Sequence, residues 1–130
     1  MKIREIMDQQ ARCVGLENSV VEAAGVMRLF DVGAVPVCDD DQVVGMLTDH
    51  DIVVRSVADG RDLNHITVRE ALSGQVAPVF EDEEIEEAAR LMEEQHLRRL
   101  PVLDQELHLV GTVSLRAIVD LAHIDLSARE

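Results

Sequence analysis

The residues best equipped for chemistry in this chain are a threonine and an aspartate three positions apart, Thr48 and Asp51 in "GMLTDHDIV". Two readings of that spacing are open. At a helix N-terminus, Thr48 caps a backbone N–H and Asp51 sits favourably in the helix dipole, which stabilises by about 1 kcal/mol. In a binding site, a carboxylate held in the first helical turn accepts from both hydroxyls of a ribose, while the hydroxyl residue and nearby N–H groups orient a phosphate. The stretch "GTVSLRAIV" repeats the pattern with Ser114, yet places Ala117, which accepts nothing, where the first stretch has Asp51. A duplicated element has kept its acid in one copy only.

The cations show the opposite bias. Arg98, Arg99 and Arg116 belong to the second copy, where the first has Gly33, Ala34 and His50. Arginine forks suit phosphate oxygens; the bland reading of Arg98 and Arg99 is solvation or pairing with Glu93 and Glu94. For Cys13 and Cys38, three states are open: two buried thiols, a disulfide or redox-switchable pair, or metal ligands. His50, His65, His96, His108 and His123 form no i, i+4 pair with one another. Neighbouring residues on a helix point in different directions, so Asp49, His50 and Asp51 do not make a metal site, and no metal is expected. No nucleophile elbow, P-loop or paired catalytic constellation is present, so an enzyme is not expected.

Composition narrows the partners. In 130 residues, 26 acids face 12 Lys and Arg, a formal charge of −14 that repels nucleic acid and anionic lipid. Aromatics are 2%, Phe30 and Phe80, which leaves little for stacking bases. A small anion still fits if a few cations converge. No apolar run approaches the ~20 residues of a membrane span, and "MKIREIMDQQ" lacks the apolar core of a secretory signal, so the expected address is cytoplasmic.

The elements that must position these residues come in two copies. An offset of 65 pairs Met7 with Leu72, Val14 with Val79, Val20 with Ile85, Met27 with Met92 and Pro36 with Pro101, and it becomes 66 at Gly45 and Gly111. Each copy reads as strand, helix, strand, strand, helix, and each needs the other to cover its apolar face. In the first, Ser19 and Glu22 form a capping box before Val20, Ala23, Ala24 and Met27 at helical spacing. "VPVC" and "VVGML" flank an acidic turn as a hairpin, and "DHDIVVRSVADG" returns to a helix ending near Gly60. The last helix is expected from Leu115 to about His123. The boundaries are residues 1–60 for the first repeat, 61–67 for a structured connection, 68–124 for the second repeat and 125–130 for a frayed tail.

This order of elements, with "GAVPVCDDDQVVGMLTDHDIV" and "RRLPVLDQELHLVGTVSLRAIV", resembles a tandem pair of cystathionine-β-synthase (CBS) domains, or Bateman module, over nearly the whole chain. It looks most like the small stand-alone bacterial versions of the hypoxic response protein group. The resemblance implies an α/β (α+β) fold in which two β-α-β-β-α repeats pack with pseudo-two-fold symmetry and leave clefts between them. It implies an adenine nucleotide (AMP, ADP or ATP) as ligand, a homodimer, and a regulated partner reached in trans. Carried over, Thr48 and Asp51 hold phosphate and ribose. Ala34, Val35 and Pro36 line an adenine slot that Val14 closes, and Arg98, Arg99 and Arg116 reach the phosphates. No catalytic cofactor is implied. The rival expectation is a ligand-free structural or redox adaptor built on Cys13 and Cys38, which the CBS arrangement places close together.

Overall fold

The computed structural model describes residues 1–74 and 76–128. The first repeat contains β1 (Val14–Gly15), α1 (Val20–Phe30), β2 (Ala34–Asp39), β3 (Gln42–Thr48) and α2 (Asp49–Ile52). After a short α3 (Val68–Ala71), the second contains β4 (Val79–Phe80), α4 (Ile85–Gln95), β5 (Arg99–Leu103), β6 (Leu109–Ser114) and α5 (Leu115–Ala128). Both copies build a three-stranded sheet in which the short first strand runs parallel to the second and the second pairs antiparallel with the third. The mixed α/β class expected from the sequence is the one observed.

Helix α1 starts where its capping box requires, with Ser19 Oγ accepting from Glu22 N–H at 3.1 Å. Its Val20, Ala23 and Met27 enter a core completed by Val14, Val35, Val37, Leu47, Ile66, Val68 and Ala71. Ala24, assigned to the apolar stripe from its spacing, is exposed instead. Alternation along the hairpin sends Val35, Val37 and Leu47 to this core and leaves Ala34, Pro36, Met46 and Thr48 on the other face of the sheet.

The compact units do not coincide with the sequence repeats. Met1–Gln10 pack with Ala77 onward, and Ala11–Val76 form the other unit. Ile3 N–H donates to Glu83 O at 2.9 Å, and 65 residues on Val68 N–H donates to Asn18 O at 2.8 Å. The segment that leads each repeat is therefore hydrogen-bonded to the body of the other repeat. That crossing accounts for a glycine in each hairpin. A Cβ on Gly111 would meet Asp8 O at 2.5 Å, and one on Gly45 would meet Gly74 O at 3.0 Å. Gly111→Ala is expected to push residues 1–10 off β6, breaking the two Asp8–Thr112 backbone bonds at a cost of about 1–3 kcal/mol. Hydrogen exchange at the Asp8 and Thr112 amides checks this, and unchanged protection would contradict it.

Two expectations about the helices are revised. Helix α5 continues to Ala128, so residues 125–128 of the expected tail are helical, while residues 129–130 lie outside the described part. Helix α2 makes one turn and then widens into a π-helical segment, Val53–Val57, in which Ala58 N–H reaches back to Val53 O at 2.9 Å. Among the described residues, no helix is long and apolar enough to cross a membrane.

Candidate functional site

Strand β3 ends at Thr48, whose extended backbone turns directly into α2. Thr48 Oγ1 accepts from Asp51 N–H at 3.1 Å, and Asp51 Oδ2 accepts from Thr48 N–H at 3.1 Å. The capping reading is thus realised as a reciprocal box. It does not exhaust the aspartate: Asp51 is 8% exposed, and among the described residues its Oδ1 has no hydrogen-bond donor. That oxygen is not sealed from solvent, so it is free to accept from water or from a ligand that can donate. In the second repeat, Ser114 Oγ still accepts from Ala117 N–H at 3.1 Å, and nothing reciprocates. The hydroxyl of the motif caps a helix in both copies, and only the first copy has acceptor capacity left over.

Around Asp51, Ala34 pairs with Thr48 and Pro36 with Met46 across the hairpin, so Ala34, Pro36 and Thr48 share one face of the sheet. Val14 and Val35 point the other way, into the α1 core. Their side chains serve packing, and only their backbone groups remain for a ligand. Asp49 lies over Gly33, where an added Cβ would come within 3.0 Å of Asp49 Oδ2. His50 is exposed, as an ordinary surface residue would be.

The three arginines differ in their commitments. Arg116 is exposed and donates through Nε to Asp120 Oδ1 at 3.1 Å, one turn along its own helix. Arg98 is exposed, with no carboxylate in salt-bridge range among the described residues. Arg99 is half-buried; its Nη1 donates to the Thr112 hydroxyl at 2.7 Å, and desolvation lowers its pKa while Asp8 acts in the opposite sense. Neither Arg98 nor Arg99 pairs with Glu93 or Glu94. Glu94 is taken by Arg90, which also holds Glu87.

Of the three cysteine states left open, the structure has the disulfide. Cys13 and Cys38 are bonded with their Cα atoms 5.8 Å apart; Cys13 leads directly into β1, which pairs in parallel with the strand that carries Cys38. Such bonds persist in oxidising surroundings and are rare where thiols are kept reduced.

Comparison with known proteins places this geometry. The CBS domain family matches residues 3–57 and again 68–123. The chain is 41% identical over 112 residues to hypoxic response protein 1 of Mycobacterium tuberculosis, covering 85% of this chain and 78% of that one. It is 37% identical over 113 residues to CBS domain-containing protein YhcV of Bacillus subtilis, with coverages of 87% and 79%. The crystal structure of Hypoxic Response Protein I with two coordinated zinc ions is similar at a TM-score of 0.82 and 39% identity, over 92% of this chain and 98% of that one.

That last structure corrects the expectation that no metal would be involved. Histidine spacing along one helix tests only for ligands close in sequence, whereas zinc takes ligands from anywhere the fold brings together. Among the described residues of this chain, no three His, Cys, Asp or Glu side chains converge to hold a metal ion. With both cysteines in the disulfide, neither offers a thiolate to a metal ion in this state.

Proposed function

Because the chain belongs to the CBS-domain family as a tandem pair, we propose that this regulatory module binds an adenine nucleotide at Thr48 and Asp51 of its first repeat and signals its occupancy to a protein in trans. The observation that carries the reading is the Asp51 carboxylate, whose Oδ2 completes the helix cap while Oδ1 has no donor among the described residues. Paired ribose hydroxyls supply the donors it lacks. The base is assigned to the backbone of Ala34 and Val35 and to Pro36, with Val14 behind them. The phosphates are assigned to Arg98, Arg99 and Arg116. Arg99 supports that assignment best, since Thr112 occupies a single one of its five N–H donors. The expected assembly is a homodimer, supported by the exposed apolar side chains of Val53, Val54 and Val57, all within one turn of the first repeat.

Thermal unfolding with AMP, ADP, ATP, NAD and S-adenosylmethionine tests the reading. A ligand present at 100 times its dissociation constant stabilises by about 2.7 kcal/mol, so one nucleotide of the panel is expected to raise Tm clearly. An unchanged Tm across the panel favours a second reading, which the Cys13–Cys38 bond supports: a ligand-free adaptor whose rigidity follows the redox state of that bond.

A further inference from the structure

The helix that carries Asp51 departs from its duplicate one turn later, and the departure decides which side chain stands beside the carboxylate. At the offset of 66, Arg55 corresponds to Leu121 and Ser56 to Ala122. In α5, Ala117, Ile118 and Leu121 are partly buried and Ala122 is exposed, the inward spacing i, i+1, i+4 of an α-helix. In the first repeat the inward set is Asp51, Ile52 and Ser56, or i, i+1, i+5, and Arg55 is exposed. The wide turn Val53–Val57, packed against α3, supplies the extra residue.

Continued as an α-helix, the chain would swing Arg55 onto the inward face one turn above Asp51, where residues i and i+4 are neighbours. A guanidinium there would find the Asp51 carboxylate and pair with it. Ser56, which takes the place instead, is 0% exposed, and among the described residues its hydroxyl has no hydrogen-bond partner. No polar contact explains its burial; it is small enough to fill the position that Arg55 leaves.

We infer that Arg55 is a specificity-determining residue, which the wide turn holds away from Asp51 so that the carboxylate stays open to neutral donors such as paired sugar hydroxyls. An ion pair with Arg55 would close the same oxygens to them. This deepens the proposed function and rests on Asp51 being a ligand site.

Deleting Ser56 removes the extra residue of the wide turn, so that Arg55, four residues after Asp51, falls on the same helix face as the carboxylate. In the ligand-free protein, the Arg55 Nε–H is expected to gain protection from solvent exchange by NMR, and to lose it again when Asp51→Asn is added. AMP affinity of the deletion variant is expected to fall by about tenfold or more, and to recover to within about threefold when Arg55→Leu is combined with the deletion. Equal affinity with and without Arg55→Leu overturns the inference. So does an Arg55 Nε–H whose exchange ignores the deletion.

A full-length variant guards against a deletion that fails to fold. Arg55→Leu with Ser56→Ala copies the second repeat, and scalar couplings across hydrogen bonds are expected to show Ala58 N–H moved from the Val53 to the Val54 carbonyl. If the acceptor stays Val53, the turn is wide whether or not a guanidinium has to be kept from Asp51, and the inference fails. The exchange and coupling measurements need no ligand, so they decide the placement of Arg55 even if wild-type protein binds no AMP and the nucleotide reading falls.

Discussion

Removing the Cys13–Cys38 bond is expected to lower the unfolding free energy by about 3.5 kcal/mol and Tm by roughly 10–15 °C. The first figure follows from the chain entropy released when a loop spanning 25 residues is no longer closed in the unfolded state. The native state adds a local reason. Strand β1 is two residues long and, among the described residues, pairs only with β2, so the bond at its leading edge fixes a strand that few hydrogen bonds hold. Valine 14 follows directly and enters the core, so release of β1 also loosens apolar packing. Thermal unfolding of the native protein against Cys13→Ala with Cys38→Ala measures the difference. A loss below about 1 kcal/mol would mean that the unbonded pair packs as well as the bonded one.

Asp51→Asn is expected to weaken nucleotide binding by roughly 10- to 100-fold while leaving the fold intact, since a hydrogen bond to a charged group contributes about 1.5–3 kcal/mol. Asparagine keeps one carbonyl oxygen, which still accepts from Thr48 N–H and preserves the cap. Its amide group replaces the oxygen that the ribose needs and presents donors to donors. Tm should therefore move little, and calorimetric titration should report the loss. Asp51→Ala would confound the two, because it removes the cap and the acceptor together. An asparagine variant that binds as wild type would place the ligand elsewhere.

How much of this was legible beforehand depended on what periodicity and pairing can reveal. The duplication exposed the element order, and the serine and threonine caps were readable because a capping box is local chemistry within four residues. The hairpin around Asp39 to Gln42 was readable for the same reason. Asp51 could be singled out, yet its division into one engaged and one unengaged oxygen needed coordinates. Ala24, Val14 and Val35 show a second limit: apolar spacing names a stripe, but which members reach the core depends on how the neighbouring elements pack.

The wide turn after Ile52 was invisible because α and π segments differ by one residue in where the chain turns inward, and "IVVRSV" satisfies either. Only comparison of Arg55 with Leu121 explains it, once burial is known. The exchange of leading segments between the repeats was likewise hidden, although Gly45 and Gly111 were its trace. The cysteine bond could not be chosen over thiols from the sequence, because it rests on the parallel pairing of β1 with β2, which brings together strands distant in sequence. Spacing along one helix said nothing reliable about metal, since ligand sets form in three dimensions.

Native mass spectrometry with saturating AMP or ATP counts what the duplication has kept. One nucleotide per chain is expected, held where Asp51 remains, with the repeat that carries Ala117 empty. Two nucleotides per chain would contradict the division between the repeats, and none across the nucleotide panel would contradict the binding site itself.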